Sequence, residues 1–86
     1  MATVRVLYFA WLREHTGRAL EDFALTTSIK TAGDIVAALR ARGPGYAAAF
    51  ANPRLVRVAV NQAFAGLETP VGPGDEIAFF PPVTGG

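Results

Sequence analysis

Apolar and polar residues alternate in several short stretches of the chain, which is the pattern of β-strands. The clearest stretches are Thr3–Ala10, Ala19–Thr26, Leu55–Val60 and Glu76–Phe80, and Phe64–Thr69 predicts a short, weak edge strand. Successive side chains of a strand point to opposite faces of the sheet. We therefore expect one alternating set of residues to face a core: Val4, Val6, Tyr8, Val56, Val58, Val60, Ile77 and Phe79.

Between the second and third strands the apolar spacing changes to that of a helix. Thr31 can cap this helix with its hydroxyl, and Asp34 three residues later completes a capping-box pattern. Gly43 and Pro44 end the helix, and residues 45–52 predict a second short helix. The buried stripe of the first helix contains Ile35, Val36 and Leu39.

Two strands, a helix and then further strands predict an α+β domain, a mixed sheet with helices packed on one face. The pair Pro73–Gly74 predicts a type II turn before the last strand. A chain of 86 residues is long enough for one domain with a modest core. We expect residues 1–80 to form that domain and residues 81–86 to form a flexible tail.

The last eight residues change from an apolar strand to a diglycine, Phe79-Phe80-Pro81-Pro82-Val83-Thr84-Gly85-Gly86. The two prolines lack amide hydrogens, so strand pairing should stop at Phe80. The two glycines carry no side chain, so the backbone of another protein can close around them. We expect this tail to be threaded into the active site of a partner, although many chain ends are disordered without a function.

The composition argues against several classes of function. The net charge is only +1, without the basic stripe that marks nucleic-acid binding. Without cysteine there is no thiolate metal site and no cysteine nucleophile, and the single histidine, His15, has no second metal ligand near it. We therefore expect no metal site, and no Gly-rich phosphate loop or catalytic triad is evident, so the chain alone should be catalytically inert.

No apolar run approaches the ~20 residues of a membrane helix. The first residues do not have the pattern of a signal peptide. We expect a cytoplasmic protein that binds neither membranes nor nucleic acids.

The run Gly74-Asp75-Glu76-Ile77-Ala78-Phe79-Phe80-Pro81-Pro82-Val83-Thr84-Gly85-Gly86 resembles the C-terminus of the small subunit of molybdopterin synthase. That family consists of ubiquitin-like, β-grasp sulfur carriers. The resemblance continues in Ala59-Val60-Asn61-Gln62, and in Val6-Leu7-Tyr8-Phe9-Ala10 followed by Arg13-Glu14. It implies a β-grasp fold, in which the first and last strands lie side by side and parallel at the centre of the sheet.

The resemblance also implies a function in molybdenum cofactor biosynthesis. An E1-like activating enzyme would use ATP to adenylate the carboxylate of Gly86, and a sulfur donor would replace AMP to leave a thiocarboxylate. The large subunit of the synthase, expected in a heterotetramer with this chain, would bind the pterin precursor that receives the sulfur. No cofactor is expected on this chain itself, because the ATP site belongs to the activating enzyme.

Gly86 is thus the candidate reactive residue. Strand alternation places part of the candidate partner-binding set on the sheet face away from the helix, and the whole set is Leu7, Phe9, Phe80, Pro81, Pro82, Val83, Thr84 and Gly85. Three alternatives remain: a sulfur carrier for thiamine synthesis, a sulfur carrier for tRNA thiolation, and a ubiquitin-like binding module or protein modifier. Fold analogy alone does not separate them.

Overall fold

The computed structural model describes residues 2–82, which form a mixed β-sheet with helices against one face. The strands are β1 (Thr3–Tyr8), β2 (Leu20–Ala24), β3 (Arg57–Val60), β4 (Ala63–Ala65) and β5 (Glu76–Phe80). The α-helices are α1 (Trp11–Thr16), α2 (Ala32–Arg40) and α3 (Pro44–Ala49), and a single 3₁₀ turn covers Pro53–Leu55.

The strands lie in the order β2-β1-β5-β3-β4. Strands β1 and β5 are parallel neighbours at the centre, with Tyr8 opposite Phe79, and the other neighbouring strands are antiparallel. This is the predicted α+β arrangement of a β-grasp fold. Because β5 is paired on both sides, its last residue, Phe80, lies in the middle of one end of the sheet.

The helices cover the face of the sheet that the alternation predicted. Val4, Val6 and Tyr8 of β1 are buried, as are Ile77 and Phe79 of β5. Phe79 is fully buried, with its ring 5.0 Å from that of Phe50 and 6.4 Å from that of Tyr8. Of the predicted core residues only two are half-buried, and both pack against the core: Val56 and Val60.

Local signals in the sequence are confirmed at the cap of α2 and at the turn before β5. The hydroxyl of Thr31 accepts a hydrogen bond from the amide of Asp34, whose carboxylate accepts from the amide of Thr31. The amide of Asp75 donates to the carbonyl of Gly72, and Gly74 between them has φ of 85°. That geometry is the predicted type II turn with glycine in the left-handed region.

Several predicted boundaries are wrong by a few residues because contacts elsewhere in the chain override the local pattern. β1 ends at Tyr8 rather than Ala10, since Ala10 has φ of 54° and turns the chain into α1. The predicted strand Phe64–Thr69 is only Ala63–Ala65, because the carbonyls of Leu67 and Thr69 instead accept hydrogen bonds from the first amides of α2. β3 and α3 are likewise shorter than predicted, at Arg57–Val60 and Pro44–Ala49.

A buried carboxylate ties β2 to three other elements. Glu21 is 8% exposed, and its carboxylate accepts hydrogen bonds from the Tyr8 hydroxyl at 2.7 Å and the Tyr46 hydroxyl at 2.9 Å. The guanidinium of Arg42 donates to the other carboxylate oxygen at 2.6 Å, and Arg18 lies 3.7 Å from the same oxygen. This cluster joins β1, β2, α3 and the segment after α2, and each partner is a donor suited to an ionised carboxylate.

Burial alone would raise the pKa of Glu21, but the hydrogen bonds from Tyr8, Tyr46 and Arg42 outweigh it and hold that pKa below its ordinary value. Burial and then the Glu21 carboxylate raise the pKa of Tyr8, so its hydroxyl stays protonated and remains a donor at neutral pH. A carboxylate with a lowered pKa stabilises the folded state above its unfolded pKa, about 4.3 for glutamate. The stabilisation is lost as the pH falls through the folded pKa.

We expect Glu21→Gln to lower the free energy of unfolding by about 2 kcal/mol at pH 7, because charge-assisted hydrogen bonds are replaced by neutral ones. The difference from the wild type should shrink as the pH falls below the unfolded pKa of about 4.3, because protonation of the wild-type carboxyl then begins to favour the unfolded state. Urea unfolding across pH measures both effects. Asp22→Asn is the matched control: its ion pair with Arg5 is exposed and should contribute less than about 1 kcal/mol. Equal stability of Glu21→Gln and wild type at pH 7 would contradict this account.

Candidate functional site: an apolar sheet face at the root of the tail

The sheet face opposite the helices, here called the open face, consists of rows of residues that run across the strands. One row contains charged side chains from three strands, Asp22, Arg5 and Glu76. The next row towards the end of β5 is apolar and crosses all five strands: Leu20, Leu7, Ala78, Ala59 and Phe64. The open face is therefore charged where β1 and β5 begin and apolar where they end.

The apolar part of the open face contains the partner-binding residues predicted on the strands. Leu7 and Phe80 are half-buried, and Phe9 is 48% exposed. Phe80 lies opposite Arg57 of β3, one row beyond Ala78, and the amide of Phe9 donates to the carbonyl of Phe79. The sheet thus brings Leu7, Phe9 and Phe80 to the same end of the open face, as the alternation predicted.

Phe64 belongs to this surface as well, although it was not among the predicted partner-binding residues. Its side chain is 84% exposed, and its ring centroid lies 6.0 Å from that of Phe80. The signal in the sequence is the two-residue turn Asn61–Gln62, in which both residues have positive φ. Such a turn fixes the hairpin register and puts Phe64 opposite Ala59 on the open face.

Phe9 is held at this surface by an unusual backbone conformation in the next residue. Ala10 has φ of 54° and ψ of −132°, a region that residues with a Cβ atom rarely adopt. The reversal lets the carbonyl of Phe9 accept a hydrogen bond from the amide of Leu12, whose side chain is fully buried. Leu12 anchors α1 to the core, while Phe9 stays on the outer side.

The tail begins where this apolar surface ends. Pro81 and Pro82 follow β5 directly, are half-buried and lie outside any regular element. Neither proline has an amide hydrogen, which accounts for the end of strand pairing at Phe80. The remaining predicted tail residues, Val83, Thr84, Gly85 and the candidate reactive residue Gly86, lie outside the described residues.

Other chemistry is not evident in the part of the chain from 2 to 82. There, no group of three His, Asp or Glu side chains is close enough to hold a metal ion. His15 is exposed on α1, with its ring 6.1 Å from that of Trp11. No helix among these residues has the length and apolar character needed to cross a membrane.

Nearly the whole chain matches a known family. The model of the ThiS family matches residues 6–86. This chain belongs to the ThiS family. The match begins within β1 and runs through all the later strands, the helices and the diglycine, so the membership concerns the fold and the tail together.

Curated relatives of similar length carry one functional name. The molybdopterin synthase sulfur carrier subunit of Haemophilus influenzae is 42% identical over 83 residues, covering 96% of this chain and 99% of that protein. The protein of the same name in Escherichia coli is 39% identical with the same coverage.

Solved structures of the same fold include proteins with other roles. The small archaeal modifier protein 1 of H. volcanii is 27% identical, with a TM-score of 0.79 over 96% of this chain and 100% of that one. A chain in the complex of subunits 1 and 2 of molybdopterin-converting factor from Helicobacter pylori has a TM-score of 0.66 over 98% of this chain and 99% of that chain. At 22% identity, the second likeness shows the fold alone.

We expect Ala10→Gly to raise the free energy of unfolding by about 1 kcal/mol. Glycine adopts the observed backbone angles without strain, and the relief of ~1–3 kcal/mol exceeds the entropy that glycine loses on folding. Ala37→Gly, at an exposed position inside α2, is the control and should instead lower stability by about 1 kcal/mol. Chemical denaturation of the two variants tests the assignment, and a loss of stability in both would show that Ala10 is not strained.

Proposed function

We propose that this protein is the sulfur carrier subunit of a molybdopterin synthase. The observation that carries the proposal is the position of β5, whose end at Phe80 joins an exposed apolar surface to the two prolines and the diglycine. The names of relatives that match nearly the whole chain support it. The proposal requires that Gly86 provides the terminal carboxylate of the protein.

The chemistry rests on that carboxylate. A carboxylate is a competent nucleophile towards phosphorus, but its negative charge makes it a poor target for another nucleophile. In the proposed cycle Gly86 attacks the α-phosphate of ATP on an E1-like activating enzyme, and pyrophosphate leaves. The product is an acyl adenylate, whose carbonyl carbon is electrophilic. A sulfur nucleophile from a donor then displaces AMP and leaves Gly86 as a thiocarboxylate.

In the second half of the cycle the thiocarboxylate sulfur is delivered to the pterin precursor in the large subunit, and water restores the carboxylate. This chain therefore supplies a recyclable group, while ATP and pterin sites belong to the partners. No resident cofactor is part of the proposal. The large subunit and this chain are proposed to assemble as a heterotetramer.

The length of the tail explains how the reactive group can enter the active site of a partner. Six residues from Pro81 to Gly86 span at most about 20 Å when extended, enough to enter an enclosed site while the sheet stays outside. The prolines restrict the backbone at the root of the tail. The absence of side chains at the last two residues allows a close-fitting channel around the thiocarboxylate.

The apolar part of the open face is the proposed docking surface for the large subunit. Large exposed apolar side chains are common at protein interfaces, and a few buried aromatic residues usually provide most of the binding energy. Phe64 and Phe80 form such a pair beside the tail, and Phe9 lies at the same end. Docking here would fix the tail root relative to the partner's active site.

A protein-modifier role is the second candidate, favoured by the likeness to the archaeal modifier protein. Both roles begin with activation of the same carboxylate, and they differ in the acceptor. A modifier ends in an amide bond to an amine, whereas a sulfur carrier ends in a thiocarboxylate. The presence of sulfur on the isolated protein therefore separates the two.

We expect Phe80→Ala to weaken binding to the large subunit by about 2 kcal/mol, roughly thirtyfold in Kd, because it removes a central aromatic anchor. The stability of the isolated protein should change little. Phe79→Ala is the matched control: loss of its fully buried ring should lower the free energy of unfolding by about 3–5 kcal/mol. Calorimetric affinities and urea unfolding of both variants show whether Phe80 contributes to the interface or to the core. A strongly destabilised Phe80→Ala protein with unaltered affinity would show that Phe80 belongs to the core.

We expect deletion of Gly86, or addition of one glycine after it, to abolish sulfur transfer. Either change moves the carboxylate by about 3.5 Å, which a site built for in-line attack does not tolerate. The melting temperature should stay the same. A one-residue extension at the N-terminus is the control and should retain activity. The assay is pterin sulfuration with activating enzyme, sulfur donor and large subunit, and full activity of the deletion variant would rule out the proposal.

A further inference from the structure

The charged residues are distributed unevenly between the two ends of the sheet. We call the end where β1 and β5 finish the tail end. The segment after α2 also reaches this end, because Arg42 shares the Glu21 carboxylate with Tyr8, the last residue of β1. Helix α1 follows β1 directly and packs against α3, and β3 begins here with Arg57 opposite Phe80.

The opposite end, called the far end, contains the beginnings of β1, β5 and α2. The amide of Gly74 donates to the carbonyl of Thr3, and the amide of Val71 donates to the carbonyl of Lys30. The loop before β5 is bound to the first turn of α2 through the carbonyls of Leu67 and Thr69. These bonds place residues 67–76 and 30–34 at the far end.

The tail end is strongly basic. It holds two glutamates, Glu14 and Glu21, and six of the eight cationic residues: Arg13, Arg18, Arg40, Arg42, Arg54 and Arg57. The formal charge of its side chains is therefore +4. Only Arg18 and Arg42 of this group form ion pairs within residues 2–82, both with Glu21.

The far end is acidic. It holds two cations, Arg5 and Lys30, and five carboxylates: Asp22, Asp34, Glu68, Asp75 and Glu76. Its formal net charge is −3, so the two ends account for the +1 of the whole chain.

Hydrogen bonds from the backbone amides of Lys30 and Thr31 lower the pKa of Asp34, and those from the Asn61 side chain and the Gly72 amide lower the pKa of Asp75. Both carboxylates therefore stay charged at neutral pH.

The separation of these charges is large enough to matter for binding. The first and last Cα atoms of a five-residue strand such as β5 are about 13 Å apart, more than the Debye length of ~8 Å at physiological ionic strength. A partner at the tail end therefore experiences the local charge of +4 and is largely screened from the far end. The small net charge of the chain conceals this basic surface.

We propose that the tail end is a basic docking surface whose partner, the large subunit, carries carboxylates around the entrance that receives the tail. This inference rests on the proposed function and names the chemistry of that interface. Arg57 is the central contact, because it is exposed and lies opposite Phe80 in the sheet. Arg54 is its neighbour: the Arg57 guanidinium donates to the Arg54 carbonyl at 3.3 Å, and both residues are exposed.

The arrangement fits a folded acidic protein better than a nucleic acid. Leu7, Ala59 and Ala78 make the centre of the surface aliphatic, and aliphatic side chains need an apolar partner rather than phosphates. A long polyanion would also meet the carboxylates of the far end. Opposite charges at the rim of an apolar interface chiefly raise the association rate and orient the encounter. Here they would turn the tail towards the partner before contact.

The test measures association rates between this protein and the large subunit from the same cells by stopped-flow fluorescence. At about 150 mM salt, where the Debye length of ~8 Å screens the far end, we expect Arg57→Glu and Arg54→Glu each to slow association by about tenfold. Lys30→Glu makes the same change of charge at the far end and should alter the rate less than twofold. At about 500 mM salt the wild-type rate should fall by at least tenfold and the four rates should converge.

The outcomes separate this inference from the proposed function. Tight wild-type binding that is insensitive to salt, or equal effects of the Lys30 and Arg57 variants, would overturn the basic docking surface and leave the sulfur-carrier role intact. No wild-type binding at either salt concentration would overturn both. Binding of a 20-nucleotide single-stranded DNA with an affinity equal to that for the large subunit would overturn the assignment of a protein partner. Melting curves exclude misfolding of the variants.

Discussion

The parallel pairing of β1 with β5 is the constraint on which the rest of the molecule depends. It joins the beginning of the chain to its end, buries Tyr8 beside Phe79 and places the last strand between two neighbours. Because β5 is hydrogen-bonded on both sides, the position at which the chain leaves the sheet is fixed. The tail therefore starts from a rigid support, although the tail residues themselves carry no side chains for packing at positions 85 and 86.

The same pairing divides the side chains of β5 between two tasks. Ile77 and Phe79 point into the core and stabilise the fold, whereas Ala78 and Phe80 lie on the open face beside β1 and β3. Because strands alternate with a period of two, neighbouring residues can serve stability and the proposed docking without competing for the same side chain. In the proposed function, the change along this face from the charged row at Arg5 to the aromatic pair of Phe64 and Phe80 would restrict docking to the end that carries the tail.

The sequence was informative wherever a local interaction decides the structure. The alternation in Glu76–Phe80, the capping box at Thr31 and the turn at Pro73–Gly74 each involve residues a few positions apart, and all three are confirmed. The resemblance carried by the C-terminal run is confirmed by membership in the ThiS family.

Features that depend on residues distant in the sequence could not be predicted from the local pattern. The Glu21 cluster joins positions 8, 21, 42 and 46, and nothing local distinguishes Glu21 from an exposed glutamate. The exposure of Phe64 depends on its register with β3, and the opposite charges of the two ends appear only after folding, since basic and acidic residues are mixed along the chain. The roles of Val83, Thr84, Gly85 and Gly86 remain predictions from the sequence.

In the proposed function, the terminal carboxylate of Gly86 carries sulfur. Intact-mass spectrometry of the protein isolated from its own cells tests it most directly, with a Gly86-deletion variant from the same cells as the control. We expect a species heavier than the wild-type chain by about 16 Da, the difference between sulfur and oxygen, which is absent from the deletion variant and is lost on mild hydrolysis. A wild-type protein found only at its unmodified mass, or joined to other proteins by amide bonds, in cells actively making the cofactor would contradict the account.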